Sequence, residues 1–321
     1  MSRVKDHPEG PFAVLIAGPT ASGKSGVGLR LAAELNGEIV NADSMQVYKD
    51  LRTVTARPSE ADEASCPHHL YGHVPGNEVF STGRWLAEMV PVIEDIRERG
   101  RVPIVLGGTG LYFRALTDGF VEVPGIPDDV RAETRAEVEA IGASAAHQLL
   151  SEVDARWAAK VHENDPQRIA RGLEVYRATG RALTDWHDDP VQPALAMSFL
   201  KIVLEPDRAW LYDRIDRRFA MMMEQGALQE VAKLLSLGLA PTLPVMKALG
   251  VPELGSHLRG DMALEEAIAL AGTRSRQYAK RQSTWFKQQM IAWKHLFEQD
   301  LESQIDKIFS FIDDFGLTPR T

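Results

Sequence analysis

Phe12-Ala13-Val14-Leu15-Ile16-Ala17 runs directly into Gly18-Pro19-Thr20-Ala21-Ser22-Gly23-Lys24-Ser25, and the reading of this junction decides the fold. The first six residues form an uninterrupted apolar run, the pattern of a strand buried on both faces. The next eight satisfy G-x-x-x-x-G-K-[ST], and Val27, Leu31 and Leu35 then follow at helical spacing. Strand, glycine-rich loop and helix are the context in which this motif cradles phosphate. Backbone N–H groups turn inward, the helix N-terminus brings its positive end, Lys24 supplies a point charge and Ser25 offers its hydroxyl to Mg²⁺. Gly18, Pro19, Thr20, Ala21, Ser22, Gly23, Lys24 and Ser25 are the candidate phosphate-binding residues, with Ser25 the candidate metal ligand.

Working outward, Glu38-Ile39-Val40 and Val102-Pro103-Ile104-Val105-Leu106 read as further buried strands, with Leu86, Val90 and Ile93 marking a helix between them. This alternation predicts an α/β fold, a P-loop-type parallel sheet flanked by helices and joined by right-handed crossovers. A fourth strand, Phe199 to Leu204, returns only after a long stretch of helical pattern, so residues 120–198 are expected to form a helical insertion domain. The clearest helix in it opens at Asp165-Pro166, an N-cap followed by proline at the first helical position, and closes at Gly180. The core is then residues 1–119 and 199–321, the second part mostly helical. Leu211, Ile215, Phe219 and Met222 form one apolar stripe, Ile268 to Trp293 reads as a long helix, and Ile305, Ile308, Phe309 and Ile312 make the tail an amphipathic helix that docks on the core.

With 321 residues, 44% of them hydrophobic and 25% charged, the chain has ample material for a packed core, which excludes a disordered or low-complexity protein. A formal net charge of -9 argues against indiscriminate binding to nucleic acid or acidic membranes. Local charge differs. Between Arg274 and Lys294 lie Arg274, Arg276, Lys280, Arg281, Lys287 and Lys294 with no Asp or Glu, interleaved with Tyr278, Trp285 and Trp293, a footprint suited to RNA. Cys66 is the single cysteine, which excludes an intrachain disulfide and suggests a reducing compartment. Met1 to Gly10 is polar, without the apolar run of a secretory leader, and Phe12 to Ala17 is too short to span a bilayer. A soluble, cytoplasmic protein with no membrane partner is expected.

The loop alone does not say which phosphate it holds. ATPases and GTPases usually place a carboxylate at the end of a later strand to position Mg²⁺, yet the third strand here ends in Gly107-Gly108-Thr109-Gly110. A carboxylate does follow the second strand, at Asp43 in Asn41-Ala42-Asp43-Ser44-Met45-Gln46-Val47-Tyr48. In an open α/β sheet that position faces the crevice beyond the strand ends, where Asp43 could act as a general base; an exposed acid in a turn or at a helix N-cap fits the spacing equally well. Cys66-Pro67-His68-His69 lacks a fourth ligand at usable spacing and reads as packing rather than a metal site.

Taken together, the phosphate loop, Asp43-Ser44-x-Gln46-Val47-Tyr48, Gly107-Gly108-Thr109-Gly110-Leu111-Tyr112, Asn164-Asp165-Pro166-Gln167-Arg168 and Ala279-Lys280-Arg281-Gln282-x-Thr284-Trp285-Phe286 closely resemble the tRNA dimethylallyltransferases, in order and spacing and over nearly the full length. The resemblance implies transfer of a dimethylallyl group from dimethylallyl diphosphate to N6 of the adenosine 3′-adjacent to the anticodon, with Mg²⁺ as cofactor. The phosphate loop would then hold a leaving group, which accounts for the missing second carboxylate: charge building on diphosphate needs stabilising, but no water needs activating. By the same resemblance Asp43 is the catalytic base, Thr109 bonds near the bridging oxygen or the target base, and Arg214 and Arg217 reach the diphosphate. The tRNA anticodon stem-loop would be met by Asp43, Ser44, Met45, Gln46, Thr109, Arg131, Gln167, Arg168, Arg171, Lys247 and Arg281, with the adenosine flipped out of its stack to enter the crevice. Lys247-Ala248-Leu249-Gly250-Val251-Pro252 departs from the family's more frequent Ile-Gly-Tyr, so the tyrosine contact is missing there. A monomer is expected.

Two other functions share parts of this pattern. A P-loop small-molecule kinase would use Asp43 on a substrate hydroxyl and the insertion as a lid, but has no need of the basic aromatic stretch. A non-catalytic, nucleotide-dependent RNA-binding module would not need Asp43 and Thr109 to face one crevice.

Overall fold

The computed structural model describes residues 12–314, so the polar segment Met1 to Gly10 lies outside the described residues. The chain divides into two compact units, one made of residues up to Thr117 together with those from Ala194, the other of Asp118–Pro193. The smaller unit is thus slightly displaced from the expected 120–198, because the approach to the fourth long strand already packs with the larger unit: Leu195 is buried in its core.

The larger unit begins β1 (Phe12–Ala17), α1 (Lys24–Leu35), β2 (Gly37–Asn41), α2 (Glu60–Ser65), β3 (His68–His69), α3 (Thr82–Glu98), β4 (Val102–Gly107) and α4 (Gly110–Asp118). The smaller unit holds α5 (Asp128–Ile141), α6 (Ala143–Val153), α7 (Ala155–Ala158), α8 (Pro166–Thr179) and α9 (Leu183–His187). The chain then completes the larger unit with β5 (Ser198–Leu204), α10 (Arg208–Glu224), α11 (Ala227–Ser236), α12 (Val251–Leu258), α13 (Leu264–Gln289), β6 (Lys294–Leu296) and α14 (Leu301–Asp314).

All six strands are parallel, in the order β3-β2-β4-β1-β5-β6. Helices cover both faces, which is why the central strands read as continuous apolar runs. Leu15, Ala17, Val40, Val105 and Val203 face one core with Trp85, Met89 and Phe286; Val14, Ile16, Ile39, Ile104 and Ile202 face the other with Val27, Leu31, Ile305, Ile308 and Ile312. The docked tail helix α14 supplies part of the second core. The edge strands β3 and β6, two and three residues long, are too short to leave a pattern in the sequence and are held by pairing with β2 and β5.

His68 and His69 are β3. His69 Nε2 meets Glu38 at 2.7 Å, and Glu38, 1% exposed, is also paired with Arg99 and Arg101. The hydrogen bond from Arg99 and the contact with His69 overcome burial and hold the Glu38 carboxyl down to about 2. This end of the sheet is an ion network that joins β2 and β3 to the α3–β4 turn.

The smaller unit packs around Val138, Ala146, Leu150, Ala158, Ile169 and Leu173. Asp165 caps α8 by accepting the Arg168 N–H at 3.0 Å, and Gly180 ends it at φ 70. Asp154 is buried and accepts from Thr184 N at 2.9 Å, Thr184 Oγ1 at 2.6 Å and Trp157 N at 2.9 Å. Burial opposes its charge, but these donors outweigh it and lower its pKa. Among the described residues no helix is long and apolar enough to cross a membrane.

Candidate active site

Three adjacent strands deliver the site. The phosphate loop follows β1, Thr109 follows β4 and Asp43 follows β2, so with strands about 4.8 Å apart the loop and Asp43 flank Thr109 at the carboxyl ends of the sheet. This is where open α/β sheets bind ligands.

In the loop, Ala21 (φ 65) and Gly23 (φ 98) adopt left-handed backbone, which turns the chain sharply into α1. Lys24 Nζ donates to the carbonyls of Gly18 at 2.8 Å and Pro19 at 2.7 Å. Burial pushes the Lys24 ammonium down to about 7; Asp43 pulls the other way and Arg218 pushes further down. Ser25 lies exposed at the first turn of α1.

Asp43 is held from below by Asn41, whose Oδ1 accepts the Asp43 N–H at 2.8 Å while its Nδ2 donates to the Asp43 carbonyl at 3.0 Å. Asp43 Oδ1 accepts the Met45 N–H at 2.9 Å. Thr109 Oγ1 accepts the Ser44 N–H at 3.0 Å and donates to Ser44 Oγ at 3.3 Å, while the Thr109 N–H reaches the Ala42 carbonyl at 3.2 Å. Asp43, Ser44 and Thr109 therefore form one hydrogen-bonded wall. Behind it Tyr112 stacks on Trp85 at 4.4 Å, and its buried hydroxyl has no hydrogen-bond partner among the described residues. Burial, then the Asp43 charge, raises the Tyr112 pKa.

Gln46 has its amide nitrogen tied down within the protein. Its Nε2 donates to the carbonyls of Thr55 and Ala56, both at 2.9 Å, so both amide hydrogens are engaged within the protein and only Oε1 is left as an acceptor. The same segment is anchored by Glu230 of α11, which accepts the N–H groups of Arg52, Thr53 and Val54 at 2.7, 2.9 and 2.9 Å.

On α10 the arginines divide. Arg214 lies over the Trp210 ring at 4.6 Å, and Arg217 pairs with Asp213 on the exposed side of the helix. Arg218, which the sequence analysis did not single out, touches the phosphate loop by donating to Thr20 Oγ1. A residue adds about 100° of rotation in a helix, so Arg218, four positions after Arg214, shares its face as readily as Arg217 does. Burial, then Arg214, lowers Arg218 to about 10, with Asp43 acting in the opposite sense.

The basic stretch of α13 is less positive than its sequence suggests. Arg274 pairs with Glu253, Arg276 with Asp216 and Lys287 with Glu205, carboxylates that other elements bring in. Lys280 and Arg281 stay on the rim of a groove of about 430 Å³, lined also by Gln277, Thr284, Trp285 and Gln288. Arg281 sits 5.7 Å from the Tyr278 ring. Lys247 is exposed in a short 3₁₀ turn, Pro244–Lys247.

In the smaller unit Gln167 and Arg168 are exposed on the first turn of α8, Arg168 lying 5.2 Å over the Trp157 ring. Arg131 meets Asp128 at 3.2 Å. Burial lowers the Arg171 pKa, Glu174 opposes this, and Arg131 and Arg135 add to it. Arg135, which the sequence analysis did not single out, bonds the buried Glu174 at 2.8 Å, and the Glu174 charge also acts on Arg171.

A family model described as IPP transferase matches residues 46–289, and one described as isopentenyl transferase matches residues 12–69. A curated relative from Parvibaculum lavamentivorans, named tRNA dimethylallyltransferase, is 56% identical over 306 residues that cover 95% of this chain and 97% of the relative. Another of that name, from Rhodospirillum rubrum, is 48% identical over 95% of each chain. Among solved structures, the tRNA isopentenylpyrophosphate transferase of Bacillus halodurans superposes with a TM-score of 0.68 at 35% identity, covering 96% of this chain and 97% of that one. A eukaryotic dimethylallyltransferase acting on tRNA superposes with a TM-score of 0.80 at 30% identity, covering 97% and 81%. Likeness at these identities, over almost the whole length, means that the chain belongs to the tRNA dimethylallyltransferase family.

Proposed function

We propose that this chain transfers the dimethylallyl group of dimethylallyl diphosphate to N6 of the adenosine 3′-adjacent to the anticodon of tRNA, releasing diphosphate, and that it works in the cytoplasm as a monomer. The observation that carries the reading is a phosphate loop sharing its crevice with a half-buried carboxylate, Asp43, while the strand between them ends in glycine and threonine. Such a site offers a proton acceptor opposite a cradle for a leaving anion.

In this reaction the N6 lone pair forms a bond to C1 of the allyl group as the C1–O bond breaks, its electron pair leaving with diphosphate. The N6 proton passes to Asp43. Lys24 exchanges the Gly18 and Pro19 carbonyls for diphosphate oxygens, and Arg218, already beside Thr20, adds the second positive charge; both meet more charge in the transition state than in the intact ester. Thr109 and Ser44 orient the adenine edge. Gln46 Oε1, as an acceptor only, suits an exocyclic amine.

For Mg²⁺, the described residues contain no group of three or more His, Cys, Asp or Glu side chains that could hold a metal. The exposed Ser25 hydroxyl at the start of α1 is an oxygen donor of the kind that suits an ion whose other ligands are diphosphate oxygens and water, as Mg²⁺ is commonly bound. Ser25 would hold it, and when bound it supplies positive charge to the departing diphosphate.

The residues proposed to meet the anticodon stem-loop are Gln167, Arg168, Arg171 and Arg131 in the smaller unit and, separately, Lys247, Lys280 and Arg281 in the larger one, with arginine and lysine on phosphates. The test is incubation with dimethylallyl diphosphate, Mg²⁺ and unmodified tRNA, followed by mass analysis of the digested nucleosides. Adenosine carrying one added C5H8 unit is expected; ATP consumption with no prenylated adenosine would turn the reading to a kinase.

A further inference from the structure

Two of the motifs, Gly107-Gly108-Thr109-Gly110 after β4 and Gln282-Ser283-Thr284-Trp285 on α13, fit into each other. Gln282 is 6% exposed. Its Oε1 accepts the Thr20 N–H at 2.9 Å and its Nε2 donates to the Gly108 carbonyl at 2.8 Å. One partner is a donor and the other an acceptor, so the amide can satisfy both in one orientation only. A Cβ at Gly108 would lie 2.3 Å from Gln282 Nε2, and one at Gly110 would lie 2.0 Å from Trp285 Cζ3. The two glycines are the openings through which α13 reaches the strand ends.

The position of this link matters because of where the sheet stops. The β1–β4 ladder ends at Ala17 and Gly107, after which both chains leave the sheet. Gly108 and Thr109 are tied back toward β2 by the Thr109 N–H on the Ala42 carbonyl. Thr20, three residues beyond the ladder, is tied to that wall through Gln282, and Arg218 holds its hydroxyl from α10.

We propose that Gln282 is a positioning residue that sets the separation between the diphosphate cradle after β1 and the Asp43–Thr109 wall. The inference rests on the transferase reading above. Nucleophile and electrophile are bound on opposite sides of the Gln282 bridge, so losing it leaves each substrate bound but lets the reacting atoms drift from attack distance. A misplacement on the order of 1 Å can slow such a step about 10²-fold.

The experiment is single-turnover prenyl transfer at saturating tRNA by the wild type, Gln282→Ala, Gly108→Ala and the double variant, with thermal unfolding and the affinities for tRNA and inorganic diphosphate measured on each. Gln282→Met, which keeps the volume and removes both polar ends, replaces Gln282→Ala should the latter fail to fold. Each single variant is expected to slow transfer about 10²-fold while both affinities stay at wild-type values. Gly108→Ala should add little once Gln282 is gone, because it acts by displacing that side chain. A wild-type rate in the Gln282 variants overturns the proposal. So does a fall in tRNA affinity that matches the fall in rate, which would make Gln282 an RNA contact, and so does strict additivity in the double variant. A wild-type protein that prenylates no tRNA sinks the transferase reading instead.

Discussion

In the larger unit the proposed catalytic groups Asp43 and Thr109 stand on loops at one edge of a sheet buried on both faces, and each is held by short hydrogen bonds that involve main-chain groups: Asp43 with Asn41 and Met45, Thr109 with Ala42 and Ser44. In the smaller unit the candidate residues are long side chains on α5 and α8, Gln167 and Arg168 exposed and Arg131 and Arg171 partly buried, with Trp157 under Arg168 and Asp128 beside Arg131. The difference matches the two tasks proposed for these residues. Bond making needs atoms fixed to fractions of an ångström, which short loops off a rigid sheet provide. Phosphate contacts to an RNA tolerate movement because they are electrostatic and carry no sequence information of their own.

The sharpest way to break this comparison is Asp43→Asn. It keeps the shape and the Met45 contact but removes the proton acceptor, so single-turnover transfer should slow by about 10²–10⁴-fold while tRNA binding holds. A wild-type single-turnover rate would mean that the proton leaves by water or diphosphate. Next in size, Lys24→Ala and Arg218→Ala should each lower kcat by about 10²–10³-fold, the usual effect of removing one preorganised donor to developing charge. Arg217→Ala should leave kcat unchanged, since Arg217 is turned to Asp213. Reversed results for the two arginines would restore Arg217 to the diphosphate.

Smaller effects are expected in the other unit. Arg168→Ala and Arg171→Ala should weaken tRNA binding and reduce the slope of log K against log salt by roughly one unit or less for each lost phosphate contact, without changing the single-turnover rate at saturating tRNA. A drop in that rate would show that the helical unit takes part in the chemistry.

The smallest expected effect is a pH dependence confined to the sheet unit. Lys24 titrates at about 7 in the free protein, and a bound diphosphate would draw its pKa back upward, so binding takes up a proton above that pH. Affinity for dimethylallyl diphosphate should therefore be full below about pH 7 and decline as pH rises beyond it, with matching proton uptake in calorimetry carried out in buffers of different ionisation enthalpy. Arg218, lowered only to about 10, stays charged over most of that range. Affinity that stays flat up to pH 9 would show that Lys24 is already protonated in the free loop.

The sequence by itself determined the sheet and its chemistry-bearing ends. Short continuous apolar runs bounded by turn residues read as strands covered on both faces, and the phosphate-loop motif between strand and helix has few other uses, so the central strands and α1 were legible from local pattern, while Asp43 and Thr109 were assigned their roles only with the family resemblance. The insertion's best helix was legible from its two caps, Asp165-Pro166 and Gly180. Tertiary structure alone decided what depends on partners far apart in the chain. It paired three of the six cations between Arg274 and Lys294, because Glu205, Asp216 and Glu253 lie 21 to 82 residues upstream of the cations they meet. It also put Arg218 on Thr20 and Arg217 on Asp213, a difference that helical spacing does not give and that follows from the docking of α10 beside Thr20. Gln282 bridges partners 262 and 174 residues away. A one-dimensional pattern records what a residue does to its neighbours in the chain; which loop a side chain reaches after the sheet closes depends on packing, and packing is settled only when all the elements are in place.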